Sequence, residues 1–329
     1  MAPPALVATL FVNVVRRTTK LPPVVAPDRI PPAVAVDAPL EMMQSLIVSV
    51  LSPPISTVAP LPVIFPFVNV TPLIVIANPV TQQGALTLPP DLFFSFAVNA
   101  FWCDDCGPGA IGVMFFGNGI PSNVTLRGQT VAPLSGSLDI VAHELTHGVT
   151  SSTSNLIYMD ESGALNEAFS DIMGIATEFF FQPVGPGLGQ ADYLLGEDSF
   201  RGSGGGPSGI RSAVNPLVFN APDHYSRRFT GPEDNGGVHI NSTIASHAFY
   251  LAIEGGTNST SRLSVQGVGA ANREQIEKSF YRAFTFLLPA SASFSTARAA
   301  TIQAARDLYG ANSAAATAIT QAWTAVGVN

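Results

Sequence analysis

The apolar positions change their rhythm near Leu92. Before it, valine, isoleucine and proline alternate without a period, as in Leu61-Pro62-Val63-Ile64-Phe65-Pro66. Proline this dense excludes long helices and central strands. It also interrupts every apolar run long enough to cross a bilayer. Short edge strands and extended segments are the expectation for residues 1–90, with an apolar membrane-associated tail and a stretch outside the natural reading frame as the competing readings. Beyond Leu92 the pattern is that of an ordinary globular chain. Residues 93–102 read as a strand and 111–116 as a second. A helix is expected over 138–151, capped by Ser135 or Ser137. After the short apolar piece Leu156-Ile157-Tyr158, Ser162 is placed to cap another helix that runs to about residue 181. Residues 192–207 read as loop, and Asp223-His224-Tyr225 and the run from Pro232 to Gly237 as turns. Ala245, Phe249 and Ile253 mark an apolar helix, and 275–288, 296–309 and 314–326 read as three more from their periodicity and alanine content. The expected fold is α+β in two lobes. A β-leaning lobe, irregular over 1–90, is followed by a mainly helical one, with divisions at 1–90, 91–152 and 153–329. No internal repeat is present.

Composition narrows the function. The chain has 329 residues, is 47% hydrophobic and only 12% charged, about half the usual charged share. A net charge of −8 leaves nothing to neutralise phosphates, so nucleic acid is excluded as a partner. No basic cluster exceeds Arg16-Arg17, which argues against an electrostatic membrane anchor. A monomer is the expectation. Residues 1–90 hold no histidine and seven charged residues, so the candidate chemistry lies downstream. The apolar stretch from Ala5 to Val15 precedes its arginines, the reverse of a secretion signal. The two cysteines stand as Cys103-Asp104-Asp105-Cys106. A local disulfide is the favoured reading over free thiols, a redox pair or half a zinc knuckle.

The chemistry gathers on Val141-Ala142-His143-Glu144-Leu145-Thr146-His147-Gly148. On a helix, His143 and His147 at i and i+4 leave the same face one turn apart, a spacing that grips one zinc ion. Glu144 can act as general base on a water there. A bare match of this kind also occurs by chance. What raises it is Asn166-Glu167-Ala168-Phe169-Ser170-Asp171, which begins 19 residues after His147. Glu167 offers an anionic third ligand from a second helix. Asn166 and Asp171 are placed to accept hydrogen bonds from the histidines and so fix their tautomers. Taken singly, His239 would more often be a surface residue, Tyr158 a core residue and Arg211 a solvated or paired cation. His224 and His247 read as structural.

These motifs resemble the thermolysin-like zinc metalloendopeptidases, the bacillolysin group of gluzincins. The resemblance runs from about Leu92 to the C-terminus. It rests on Asn99-Ala100-Phe101-Trp102, the histidine pair, Gly163 to Asp171, Asp234 to Ser242, Asp307-Leu308-Tyr309-Gly310 and Ala325-Val326-Gly327-Val328. It implies a secreted endopeptidase acting on proteins or peptides, with His143, His147 and Glu167 as zinc ligands. Glu144 would be the base on the zinc-bound water, and His239, oriented by Asp234, would stabilise the oxyanion with Tyr158. Arg211 would contact the substrate backbone, and Asn99 and Ala100 would form the edge along which the peptide lies. Val131, Leu134, Ile140, Leu195 and Ile210 resemble the lining of the pocket for the residue after the scissile bond. All are apolar, so the resemblance implies cleavage before Leu, Ile, Val or Phe. Asp139, Glu178, Asp192 and Glu197 match structural calcium positions. Leu194 stands where a further acid is expected, which implies one calcium ion. Residues 1–90 and Gly117-Asn118-Gly119 depart from the family pattern, so a zinc-binding homologue of impaired catalysis is the alternative. An aminopeptidase would want an acidic cluster before the zinc helix, and there is none. A metzincin would need histidine at Thr153 and glycine at Thr150.

Overall fold

The computed structural model describes residues 73–76, 98–106, 112–203 and 206–329. Expectations for the rest of 1–90, for 93–97 and for Ile111 lie outside the described residues.

The N-terminal part is a small sheet of β1 (Leu73–Ile76), β2 (Ala100–Cys103) and β3 (Val113–Phe116) in the order β1-β3-β2. β1 runs parallel to β3 and β2 antiparallel to it, with Ala100 opposite Phe116 and Cys103 opposite Val113. Among the described residues β2 is therefore an edge strand, and its outer backbone groups have no strand partner. Cys103 and Cys106 are joined in a disulfide just past its end. β4 (Gln129–Val131) pairs with β6 (Phe200–Gly202), and β5 (Leu194–Leu195) with β7 (Arg211–Ser212). The segment expected to be loop over 192–207 thus contains two short strands. They are too brief to show a period of their own, and their pairing partners lie far away in sequence.

Two helices carry the histidine and carboxylate motifs: α1 (Leu138–Ser152) and α2 (Asp160–Phe181). Leu138, Val141, Ala142 and Leu145 bury one face of α1 against Met114, Phe116 and Val131. The other face meets α2, where Gly174 lets the two axes come close. At Gly174 an added Cβ would lie 2.8 Å from the carbonyl oxygen of Asp139. Trp102 of β2 lies on α1 at Gly148, where a Cβ would come within 2.6 Å of the indole.

Both expected caps differ in detail. Ser137 occupies the N-cap of α1, but its hydroxyl donates to Asp139 Oδ1 at 2.6 Å and does not accept from the helix backbone. Ser162 sits inside α2, and its Oγ turns back to the carbonyls of Ile157 and Met159 at 2.7 and 2.9 Å. A short polar side chain finds more than one backbone partner near a helix start, so its type marks the neighbourhood of the cap and not the cap itself.

The helical part continues with α3 (Glu233–Glu254), the β8–β9 hairpin (Gly256–Thr257 and Ser264–Val265), α4 (Arg273–Arg282), α5 (Phe294–Tyr309) and α6 (Ala314–Ala325). The helix expected over 275–288 ends in a π-helical turn at Ala283–Leu287. Phe169, Phe249, Phe280, Phe284, Phe294 and Trp323 are buried at the centre, and Trp323 donates to Thr301 Oγ1 at 2.9 Å. Small residues such as Ala297, Ala304, Ala315 and Ala322 let the last helices close over these rings. Among the described residues no helix is long and apolar enough to cross a membrane.

Candidate metal centre and active site

α1 places His143 and His147 on one face, and α2 brings Glu167 across from it. His143 Nε2 lies 3.1 Å from His147 Nε2, and each is 3.4 Å from an oxygen of Glu167. Outer partners set the tautomers. His143 Nδ1 faces Asp171 Oδ1 at 2.9 Å, and His147 Nδ1 faces Asn166 Oδ1 at 2.8 Å and Ser170 Oγ at 3.2 Å. Acceptors at both Nδ1 atoms keep the protons there, so two Nε2 lone pairs point at one another. Lone pairs so close repel unless a cation lies between them. Bonds of 2.0–2.1 Å in a tetrahedron put ligand atoms about 3.3 Å apart, and the three separations here match that edge. Glu167 Oε2, buried and without a hydrogen bond, agrees with the same need. The trio fits zinc.

The local field also favours a cation. Burial opposes charge on Glu167, but the two histidines outweigh it and hold the carboxyl well below its ordinary range. Burial likewise opposes charge on His143, yet Asp171 and Glu167 outweigh it, so positive charge at its Nε2, a proton or a metal ion, is favoured. For Asp171, burial is overcome by Arg211 and His143, so it stays ionised. Arg211 grips Asp171 with both arms of its guanidinium, Nε to Oδ2 at 2.8 Å and Nη2 to Oδ1 at 2.7 Å. Glu144 is buried on α1, close enough to both histidines for their charge to act on it, and burial raises its carboxyl.

A second pair of groups approaches the same face. Tyr158 O–H donates to Glu167 Oε1 and lies 3.2 Å from His239 Nε2. Asp234 grips His239 twice, accepting from its backbone N–H at 2.9 Å and facing its Nδ1 at 2.6 Å. This grip depends on an unusual turn. Asp234, Asn235, Gly236 and Gly237 all have left-handed backbones (φ 55, 50, 85 and 79°) at the start of α3. The run expected to be a turn is therefore a complete left-handed one, and it aims His239 at the metal ligands.

Two family models match the chain. One, described as "Thermolysin metallopeptidase, alpha-helical domain", covers residues 154–328. The other, "Thermolysin metallopeptidase, catalytic domain", covers residues 94–151. The chain belongs to the thermolysin family. Among its relatives, the thermostable neutral protease NprT of Geobacillus stearothermophilus is 43% identical, over 70% of this chain and 37% of that one. Bacillolysin of Bacillus cereus is 43% identical over 77% of this chain and 40% of its own length. Thermolysin of Alicyclobacillus acidocaldarius is 43% identical over 70% and 37%. The chain therefore spans about two fifths of the length of these curated relatives. Of solved structures, the protealysin precursor of Serratia proteamaculans superposes with a TM-score of 0.53 at 32% identity, over 70% of this chain and 66% of that one.

Within this thermolysin-family site, the expected pocket residues meet in one region. Val131, Leu134 and Ile140 are buried in the sheet-side core, and Ile210 packs both on them and on the helical core that holds Leu195. Phe200, opposite Val131 in the β4–β6 pair, joins them, which sequence reading missed. Asn99 and Ala100 lie at the start of the edge strand β2, where Asn99 O accepts from Gly117 N at 2.9 Å. Of the four acids expected together, Asp139, Glu178 and Glu197 converge within 4.8 Å. Asp192 stands just outside, near enough for its charge to act on Glu178 and Glu197, and accepts from Leu194 N at 2.6 Å. Asp198, also missed, acts on all four and accepts from Gly189 N at 2.8 Å. Burial, and then the neighbouring acids, push Glu178 up to about 11 and Glu197 up to about 9. His247 and His224 are structural as expected: His247 Nδ1 lies 2.7 Å from Ala213 O, and His224 packs against Gly327.

Proposed function

We propose that this chain is the catalytic part of a zinc-dependent endopeptidase that hydrolyses internal peptide bonds. The observation that carries the reading is the convergence of His143 Nε2, His147 Nε2 and Glu167 beside the buried Glu144. Zinc held by that trio supplies Lewis-acid polarisation of the scissile carbonyl and an acidified water. Glu144 removes a proton from the attacking water and delivers it to the leaving amine, so water and one amide become a carboxylic acid and an amine. Its burial raises the carboxyl toward working pH, which suits a group that must both accept and release a proton. Tyr158 and His239 together donate to the oxyanion as it develops. Asp234 keeps His239 aimed, and Arg211 with Asp171 holds His143 while offering a donor to the substrate backbone.

The peptide lies along the free edge of β2 from Asn99 and Ala100, adding a strand. The residue after the scissile bond enters the pocket of Val131, Leu134, Ile140, Leu195 and Ile210, which takes Leu, Ile, Val or Phe. Asp139, Glu178, Glu197 and Asp192 hold one calcium ion. Both carboxylate oxygens of Glu178 and of Glu197 are buried without hydrogen-bond partners, and a hard cation is the natural counter-charge. The disulfide fits an oxidising, extracellular setting, and every side chain named above comes from one chain, as a monomer requires.

The test is cleavage of an internally quenched peptide with Phe-Leu at its centre, with and without a zinc chelator and with Glu144→Gln. Chelator-sensitive cleavage that the variant lacks supports the endopeptidase. One zinc per chain without cleavage would leave a metal-binding homologue of impaired catalysis.

A further inference from the structure

Tyr158 and His239 are 81 residues apart in sequence, yet their polar atoms meet at 3.2 Å. Burial does not hold them there, because both side chains are partly open to solvent. Their separation is set instead by a seam between two backbone segments. One is the tight stretch from Tyr158 to Asp160, where Met159 N donates to Ile157 O at 2.8 Å and Asp160 has φ 50°. The other is the left-handed turn that leads into His239.

Two glycines let these segments touch. Gly163 lies in the first turn of α2. A Cβ there would overlap Val238 Cγ1, the neighbour of His239, and lie 2.9 Å from the carbonyl carbon of Tyr158. Gly236 faces Asp160, and a Cβ on it would overlap Asp160 Oδ1 and lie 3.1 Å from Asp160 Cα. The Tyr158 carbonyl carbon behind Gly163 and the Asp160 backbone behind Gly236 belong to the Tyr158 segment, so an added methyl presses that segment away from the His239 segment. A donor pair serves one oxyanion only if both groups reach it together.

We propose that Gly163 and Gly236 are positioning residues that hold Tyr158 and His239 in register as one oxyanion clamp. They act through the spacing of the two donors. The inference rests on the endopeptidase reading.

The test uses Gly163→Ala and Gly236→Ala in the full chain. Gly163 has ordinary helical backbone, so alanine there adds no conformational strain of its own. At Gly236 the positive φ adds strain, and a paired variant separates that from the contact: Asp160→Gly beside Gly236→Ala removes the obstructing side chain. Readouts are kcat and KM for the quenched peptide, affinity for a phosphinic peptide that mimics the tetrahedral oxyanion, bound zinc and melting temperature. The expected result for each single variant is a fall in kcat of about 10- to 100-fold, with KM within twofold. Phosphinic-peptide affinity falls in parallel and zinc stays at one per chain. Adding Asp160→Gly to Gly236→Ala returns at least tenfold of the lost kcat. Unchanged kcat in both alanine variants overturns the proposal. So does a loss in Gly236→Ala that Asp160→Gly does not repair. If Gly236→Ala fails to fold, Gly163→Ala decides alone. A wild-type chain without chelator-sensitive cleavage sinks the endopeptidase reading and takes this proposal with it, whereas an active wild type with unaffected variants sinks only the clamp.

Discussion

Glu144 shows how one residue's surroundings tune its chemistry. It is buried on the helix that carries both histidines, close enough for their charge to act on it. Glu144→Gln keeps the shape and removes the base. Zinc content should stay at one per chain while kcat falls at least ~10²-fold, checked by metal analysis beside peptide cleavage. His239→Ala leaves the metal ligands alone and removes one oxyanion donor. The expected loss is about 10²- to 10³-fold in kcat with KM little changed, and an equal loss in KM alone would contradict the role. At this scale the sequence was legible where chemistry is local. His143 and His147 are one turn apart, and Asn166, Glu167 and Asp171 share one helix, so spacing alone placed them on facing surfaces. Asp160, Asp198 and Phe200 were not legible. Each matters through a contact with a segment far along the chain, and nothing in the neighbouring residues marks it.

Helix α4 carries a prediction of a different kind. Its Glu277 is buried, and burial, with Glu274 adding to it and Arg273 and Lys278 opposing, pushes the carboxyl up to about 7. The ordinary value is 4.5, so between the two the folded chain holds a proton that the unfolded chain has lost. Stability from this group is full below about pH 4.5 and declines as pH rises to about 7, by about 3 kcal/mol in all. Glu277→Gln cannot titrate. Denaturant unfolding of both proteins across that window should show the variant gaining on the wild type and then holding a constant lead above pH 7. A constant difference throughout would refute the buried, protonated state. Element types were legible from apolar periodicity and alanine content, and most helix bounds fell within a few residues. The left-handed turn at Asp234–Gly237 was legible only as a turn. Glycines permit such a backbone, but the two hydrogen bonds that Asp234 accepts from His239 are what select it.

For the molecule as a whole, the buried acids of Asp139, Glu178 and Glu197 join α1, α2 and the segment that carries β5 and β6. A cation among them would add a further tie between elements that already pack on one another. Adding calcium at about 100 times its Kd should stabilise the chain by about 2.7 kcal/mol. The measurement is a thermal melt with and without calcium, and Glu178→Gln should erase the response while leaving zinc in place. An unresponsive wild type would leave these acids without a counter-ion and the calcium reading without support. The arrangement of this site came from resemblance and not from periodicity, because its ligands come from separate segments. The small sheet was the least legible part, since its strands span only a few residues and β1 is drawn from the proline-rich stretch.

The chain has two tryptophans, and the fold puts them in opposite surroundings. Trp102 rests on Gly148 of the helix that bears the histidines, while Trp323 is sealed among aromatic rings at the centre of the helical part. They are therefore two built-in optical reporters. With Trp323→Phe, the emission colour follows the seating of the sheet on α1. With Trp102→Phe, it follows the helical core. Red shifts at the same denaturant concentration would mark one cooperative unit, and an earlier shift from Trp102 would mark a sheet that lifts off while the core stays intact.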